Sequence, residues 1–142
     1  MKEPKEPMIE KNEPSSLKDA GGEELARAIY EVLDSKKARD IRILRVNDQT
    51  VITDYFVICT GNSTTQVKSL GDEVEYKLGL RGRDPIHYEG RNNGSWVVVD
   101  YASVILHVFS RESREFYQLE KLYGDAEEMM IESSDGESSS AE

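Results

Sequence analysis

The chain has 142 residues, 37% of them hydrophobic, and a formal net charge of −10. That length supports one ordinary hydrophobic core, and the sequence has no run of about 18 apolar residues that could span a membrane. The N-terminal residues also lack the apolar stretch of a secretory signal, so the sequence predicts a protein of the bacterial cytoplasm.

The acidic charge bears on the kind of partner that the chain can bind. Lys and Arg side chains provide most of the affinity of proteins for nucleic-acid phosphates, so a net charge of −10 disfavours direct binding to DNA or RNA. The same charge attracts a basic protein surface and speeds encounter with it. A protein partner is therefore favoured over a nucleic acid.

Two tails of distinct composition flank the middle of the chain. Residues 1–21 include three prolines and few apolar side chains, which is typical of a flexible acidic leader. After Lys121 the chain has no Lys or Arg, and acidic residues and serines follow, so residues 125–142 are predicted to form a disordered tail. The sequence thus predicts one folded domain at residues 22–124.

The first half of this domain is predicted to hold a helix and a hairpin. Apolar side chains at i, i+4, i+7 and i+8 from Leu25 predict a helix that begins near Gly22. A partly alternating run at 41–46, turn residues at 47–49 and a β-branched and aromatic run at 53–60 follow. We expect the two runs to pair as a hairpin.

A second helix is predicted after the hairpin. Ser63 and Gln66 have the spacing of a capping box, in which side chains satisfy the free backbone N–H groups of a helix start. The apolar stripe of this helix includes Gly71, which indicates close approach to a strand. Gly79 or Gly82 is expected to end the helix in a left-handed conformation.

Three strands and a helix complete the predicted pattern. The strands are expected at 87–89, 96–101 and 104–109. Ser110 then serves as N-cap of a last helix that Gly124 stops. The aromatic side chains of this helix are expected to pack on the sheet; they are Phe116, Tyr117 and Tyr123.

The predicted order α-β-β-α-β-β-β-α indicates an α/β fold with a mixed sheet of about five strands and helices packed on it. Strand residues alternate faces, so Trp96 and Asp100 are expected on one face, and Val97 and Tyr101 on the other. Both faces of this strand are largely apolar. Either helices cover both, or one carries an apolar patch that a partner can bind.

The sequence shows no convincing catalytic or metal-binding constellation. Cys59 lies in an apolar run and is expected to pack as a small hydrophobic side chain. A nucleophile paired as Cys59 with His107, or as Ser63 with His87 and Asp54, has no local signature. One cysteine and two histidines show no metal-ligand spacing either, so no metal and no cofactor are predicted.

Five motifs occur along the chain in a set order. They are Thr53–Ile58 with residues 61–63, then Glu89-Gly90, then Trp96 through Asp100-Tyr101, then His107–Phe109, and finally Arg114, Tyr117, Leu119, Glu120 and Leu122. In this order and spacing, the chain resembles the ribosomal silencing factor family, also called the Iojap family, across residues 24–124.

This resemblance implies a nucleotidyltransferase-like α/β domain that is not an enzyme. It implies a translation repressor that binds the large ribosomal subunit through ribosomal protein uL-fourteen, sterically blocks joining of the small subunit, and is often a homodimer when free. The family's partner-binding surface carries over to Trp96, Asp100 and Tyr101. Because Tyr101 is expected on the opposite face from Trp96, both can reach one partner only near a sheet edge or a strand end.

Two other interpretations stay open. A metal-dependent nucleotidyltransferase-like enzyme would hold a triphosphate on a turn such as 61–63, but the paired carboxylates for its metal ions are missing, since Glu89 and Asp100 stand alone. A purely homodimeric scaffold would use the apolar sheet face or the last helix as its self-interface. Assays of nucleotide turnover and of self-association distinguish both from ribosome binding.

Overall fold

The computed structural model describes residues 15–131, which form a mixed sheet flanked by helices. The elements are α1 (Gly22–Ser35), β1 (Arg39–Arg45), β2 (Tyr55–Gly61), α2 (Thr64–Leu80), β3 (His87–Glu89), β4 (Trp96–Asp100), β5 (Val104–Ser110), α3 (Arg111–Tyr117), α4 (Leu119–Leu122) and β6 (Glu127–Met129). The predicted α/β class is confirmed, while the predicted number of five strands is wrong by one within the described residues.

The strands lie in the order β3-β4-β5-β2-β1-β6. β2 and β5 are parallel, and the other neighbouring pairs are antiparallel. The predicted hairpin of β1 and β2 is confirmed. The helical crossover of α2 carries the chain from β2 past β5 and β4 to the edge strand β3, so the predicted arrangement of hairpin, crossover and meander is also confirmed.

The two faces of the sheet are covered differently. On the first face, the apolar stripes of α1 and α2 pack against the inward side chains of the central strands, such as Val57, Val99 and Leu106, in one continuous core. The second face has a smaller buried cluster around Phe56 and Ile58. It is covered only in part, by three residues that follow β5 in the chain: Leu119, Tyr123 and Ala126. The second face is therefore the one with apolar surface left for a partner.

The start and packing of α2 follow the predicted chemistry. The Ser63 hydroxyl accepts a hydrogen bond from the Gln66 N–H at 3.0 Å, and the Gln66 side-chain oxygen accepts one from the Asn62 N–H rather than from Ser63 itself. A methyl group added at Gly71 would lie 2.5 Å from Tyr88 Oη and 2.8 Å from Val97 Cγ1. Any larger residue at this position would therefore require the Tyr88 and Val97 side chains to move, because β3 and β4 approach α2 so closely.

The last predicted helix is in fact two short helices. Gln118 has a left-handed backbone with φ of 49° and ends α3, after which α4 begins. The Ser110 cap is confirmed, since its hydroxyl accepts a hydrogen bond from the Ser113 N–H at 3.1 Å. The break turns α4 and the following residues back across the second face of the sheet.

The packed structure extends past both predicted limits of the domain, residues 22 and 124. Leu17 is fully buried in the main core, and its carbonyl oxygen accepts a hydrogen bond from Arg83 Nη1 at 3.0 Å. At the other end, β6 pairs with β1, and Glu128 forms an ion pair with Arg42 at 2.7 Å. Backbone pairing and packing therefore include residues that composition assigned to the leader and the tail; the rest of both segments lies outside the described residues.

Candidate protein-contact surface on the second face of the sheet

Trp96 is the first residue of β4 and lies on the second face of the sheet. Its indole packs against the ring of Phe109 on β5, with a centroid distance of 4.9 Å, and against Tyr117 on α3, at 4.6 Å. Trp96 is partly exposed, so one side of its ring is anchored by these neighbours and the rest is open. A large aromatic side chain held in this way is already ordered before a partner arrives.

His107 on β5 fixes the orientation of this indole. The Trp96 Nε1–H donates a hydrogen bond to His107 Nδ1 at 3.1 Å. Burial lowers the pKa of His107 to about 4, because desolvation penalises the charged form. The imidazole is therefore neutral at pH 7, and since Nδ1 accepts the bond, its proton resides on Nε2.

Two aromatic side chains of α3 extend the exposed area beside Trp96. Phe116 is 79% exposed and Tyr117 is 46% exposed, and their rings meet edge to face at 4.9 Å. Trp96, Phe116 and Tyr117 together are called the aromatic surface below. The prediction that Phe116 packs on the sheet is wrong, whereas Tyr123 does pack there, edge to face on Phe56 at 5.0 Å.

The sequence contained a signal for the aromatic surface that periodicity did not reveal. Phe116 and Tyr117 are adjacent in α3, so a regular helix cannot turn both toward one core. No residue of α3 is buried, which means that this helix presents its side chains at the rim of the sheet. Adjacent aromatics on a short polar helix are more consistent with a contact surface than with a core stripe.

Asp100 lies at the opposite end of β4 from Trp96. Four residues of extended strand separate the two by about 13 Å. The Asp100 carboxylate accepts a hydrogen bond from the Ala102 N–H at 2.8 Å, which closes the tight turn between β4 and β5. The side chain is partly exposed, so it can still meet a partner while it supports the turn.

Tyr101, the third predicted site residue, is buried. Its side chain is 1% exposed and lies in the main core on the first face, as strand alternation expected. The role of Tyr101 in binding a partner stays a prediction, and because its side chain is buried, a direct contact would require that side chain to move. The Tyr101 hydroxyl has no hydrogen-bond partner among the described residues, and burial raises the pKa of this phenol.

The catalytic pairs considered from the sequence do not assemble. Cys59 packs in the core on the first face, whereas His107 contacts Phe56 and Trp96 on the second, so the sheet separates them. Burial also raises the pKa of the Cys59 thiol to about 12, which keeps it protonated. Asp54 and Ser63 flank opposite ends of β2, about 23 Å of strand apart.

Residues 15–131 contain neither a cluster of metal ligands nor a membrane-spanning helix. No group of three or more His, Cys, Asp or Glu side chains in that range could hold a metal ion. No helix in the same range combines the length and the apolar content that a membrane span requires.

These features define a class of protein: a mixed α/β domain with a partly covered sheet face and an aromatic surface at its rim. The model of the family described as ribosomal silencing factor during starvation matches residues 19–142. The chain belongs to this family, which confirms the resemblance seen in its motifs. The family name indicates a regulator associated with the ribosome rather than an enzyme.

Individual relatives agree with this assignment. The chain is 34% identical to the ribosomal silencing factor RsfS of Halalkalibacterium halodurans over 110 residues, which cover 78% of this chain and 94% of that protein. It is 35% identical over 98 residues, 67% of this chain and 43% of the relative, to a mouse protein named for mitochondrial assembly of the ribosomal large subunit.

Solved structures share the fold as well. A crystal structure of a protein from Chromobacterium violaceum is 34% identical, covers 72% of this chain and 85% of its own, and superposes with a TM-score of 0.70. A second, from Bacillus halodurans, is 30% identical with a TM-score of 0.68, and the match covers 77% of this chain and 99% of that one.

Proposed function

We propose that this protein represses translation in the cytoplasm by binding the large ribosomal subunit through ribosomal protein uL-fourteen and blocking the small subunit. It acts by steric obstruction and carries out no chemical step. The observation that carries the proposal is the aromatic surface of a chain that belongs to the ribosomal silencing factor family.

The aromatic surface has the properties of an interface anchor. Trp and Tyr side chains contribute most binding energy when they lie in the centre of an interface and are shielded from water. The rings of Trp96 and Tyr117 are already in contact, and Phe116 is the most exposed of the three. A partner that covers this surface removes a large apolar area from water at a small cost in side-chain entropy.

The charge of the chain suits a basic partner. A net charge of −10 raises the encounter rate with a positively charged surface and repels bare nucleic acid. Asp100 supplies a carboxylate on the same face as Trp96, about 13 Å along β4. Ribosomal proteins are rich in basic side chains, so the two features complement one another.

The decisive experiment scores joining of purified ribosomal subunits on a density gradient with added protein. Phe116→Ala is the informative variant because its side chain supports little of the fold. We expect it to weaken binding to large subunits about tenfold or more, as for an interface hot spot, and to restore subunit joining. Tyr76→Ala is the matched control, since Tyr76 is 61% exposed on α2, away from the aromatic surface.

Each outcome of this assay decides a part of the proposal. Full repression by the Phe116 variant would remove the aromatic surface from the interface. No effect of the unmodified protein on subunit joining would refute the function itself. Consumption of a nucleotide by the pure protein would instead support the enzyme interpretation.

The free protein is proposed to be a homodimer. Its aromatic surface is an exposed apolar area that a second copy could cover, and burial of the same surface by uL-fourteen would then compete with dimerisation. Sedimentation at increasing dilution should show dissociation, and Phe116→Ala should weaken the dimer. A monomer at all concentrations would contradict this part.

A further inference from the structure

The parallel pair of strands ends at a point where the chain leaves in two directions. From the C-terminal end of β2, the chain runs through α2 on the first face to β3. From the C-terminal end of β5, it runs through α3 and α4 to β6, and Leu119 of α4 packs on the second face. In open α/β sheets, a crevice forms where such connections diverge, and ligands bind outside the carboxyl ends of the strands there.

A crevice is present at this point. A cavity of about 160 Å³ is lined by Thr60 at the end of β2 and by Arg39, Arg111 and Arg114 around it. A larger groove of about 490 Å³, lined by Glu120 and Lys121 among others, adjoins it and shares the walls formed by Arg114 and Glu115. Together the two volumes fall in the range of small-molecule sites.

The smaller cavity carries an excess of positive charge in an otherwise acidic protein. Three arginines line it against the two carboxylates of Asp40 and Glu115. Arg39 and Arg111 are exposed and form no ion pair within residues 15–131. Their guanidinium groups are therefore available to an anion.

Arg114 is held rigidly between the two cavities. Its Nε donates to Glu120 Oε2 at 2.9 Å, and its Nη1 donates to the Asp40 carbonyl at 2.8 Å and to Thr60 Oγ1 at 2.9 Å. No hydrogen bond of Nη2 is formed to a described residue, so its N–H groups stay available. A guanidinium fixed in this way loses little entropy when it binds phosphate oxygens.

The larger groove offers a buried acceptor without a partner. Glu120 Oε1 is inaccessible to water and accepts no hydrogen bond from the described residues, although Oε2 is paired with Arg114. An unpaired buried carboxylate oxygen is costly, and a ligand in the groove would satisfy it with an N–H or O–H group once the Glu120 carboxylate turns toward the groove. The site thus combines an anion subsite with a hydrogen-bond acceptor on the other side of one arginine.

We infer that this crevice binds a nucleoside phosphate, with its phosphate against Arg39, Arg111 and Arg114 and its nucleoside in the larger groove, where Glu120 accepts a hydrogen bond. The net charge of −10 disfavours a long RNA, whereas a single nucleotide responds chiefly to the local arginines. The inference goes beyond the proposed function and does not depend on the aromatic surface.

Titration calorimetry of the full chain with guanosine diphosphate, adenosine diphosphate, guanosine and a short RNA tests this inference. At least one diphosphate should bind, guanosine should bind much more weakly, and Arg111→Gln and Arg39→Gln should each weaken binding about tenfold, as expected for loss of a charge-assisted hydrogen bond. Arg27→Gln, an equal charge change on the exposed face of α1, should leave binding unchanged.

Several results would overturn it. They are no heat at millimolar diphosphate, equal binding of guanosine, unaltered binding in both arginine variants, and tighter binding of the RNA than of either diphosphate. Urea unfolding of each variant confirms that the fold is intact. Because subunit joining is scored with the Phe116 variant, failure of nucleotide binding and failure of the proposed function are separate outcomes.

Discussion

His107 contributes both to the aromatic surface, by orienting Trp96, and to the stability of the fold, because its imidazole is buried. Its imidazole is 8% exposed, accepts the Trp96 hydrogen bond, and stacks beside Phe109. The neutral form is the one that this environment accepts. A proton on Nδ1 would remove the acceptor and place an uncompensated charge among aromatic rings.

Acid should therefore destabilise the protein through His107. The unfolded histidine takes up a proton near pH 6.5, but the folded one only near pH 4. Between these values the unfolded state binds more protons, so the stability contributed by this group is complete above pH 6.5 and falls by about 3 kcal/mol down to pH 4. Urea unfolding at a series of pH values measures this slope.

Substitution identifies the source of that slope. His107→Gln keeps an acceptor for the Trp96 N–H but cannot titrate, so it should flatten the decline in unfolding free energy between pH 6.5 and 4. His87→Gln, at an exposed position on β3, is the matched control and should retain the decline. An unchanged slope in the His107 variant would assign the effect to other groups.

The main structural role of Asp100 is expected to be stabilisation of the turn between β4 and β5. Its carboxylate accepts the Ala102 N–H, and Ala102 has a left-handed backbone with φ of 75°. Asp100→Ala should lower the unfolding free energy by about 1 kcal/mol, while Asp100→Asn, which keeps the acceptor, should not. If the Asn variant loses ribosome binding while its stability is unchanged, the charge contributes to the interface.

Strand alternation located the candidate residues only partly. The period of two correctly placed Trp96 and Asp100 on one face and Tyr101 on the other, because strand geometry fixes it locally. Which face is covered could not be read from β4, since both of its sides are apolar. That depends on α1 and α2 packing on one face, which is a tertiary choice.

At the scale of elements, β6 shows what sequence patterns miss. Glu127-Glu128-Met129 has strand geometry although two of its three residues are acidic, and its composition continues that of the serine-rich tail. The neighbouring strand orders β6. β1 has an unpaired edge to which β6 hydrogen-bonds, and Arg42 and Arg45 of β1 form ion pairs with Glu128 and Glu127. Propensity carries no information about a strand edge that lies more than 80 residues earlier in the chain.

The same limit applies to the break at Gln118. Sequence periodicity predicted one helix from Ser110 to Gly124, and no glycine or proline marks an interruption. Glu120, just beyond the break, pairs with Arg114 on α3, and Leu119 packs on the second face of the sheet. These tertiary contacts therefore stabilise the left-handed backbone of Gln118, although glutamine disfavours that conformation.

Truncation should reveal the contribution of β6. A chain that ends at Asp125 loses the pairing with β1 and the packing of Met129 and Ile131 against the main core. Its unfolding free energy should fall by about 1–3 kcal/mol, the apolar burial less the chain entropy regained. A chain that ends at Ile131 keeps these contacts and is the control. Equal urea midpoints for the two truncations would show that β6 contributes nothing.

At the scale of the whole molecule, the net charge and the aromatic surface should govern different steps of binding. Long-range attraction acts before contact and is screened by salt, whereas apolar burial acts only after docking. Residues 132–142 contain four carboxylates and no basic side chain; the acids are Glu132, Asp135, Glu137 and Glu142. Their removal changes the field of the molecule and leaves the aromatic surface intact.

Association kinetics with immobilised large subunits separate the two steps. The chain that ends at Ile131 should associate more slowly at low salt and show a weaker dependence of the association rate on ionic strength, with its dissociation rate unchanged. Phe116→Ala should do the reverse, dissociating about tenfold faster or more while it associates at a nearly normal rate. If the truncation instead accelerates dissociation, the C-terminal residues contact the partner directly, and the interface is larger than the aromatic surface.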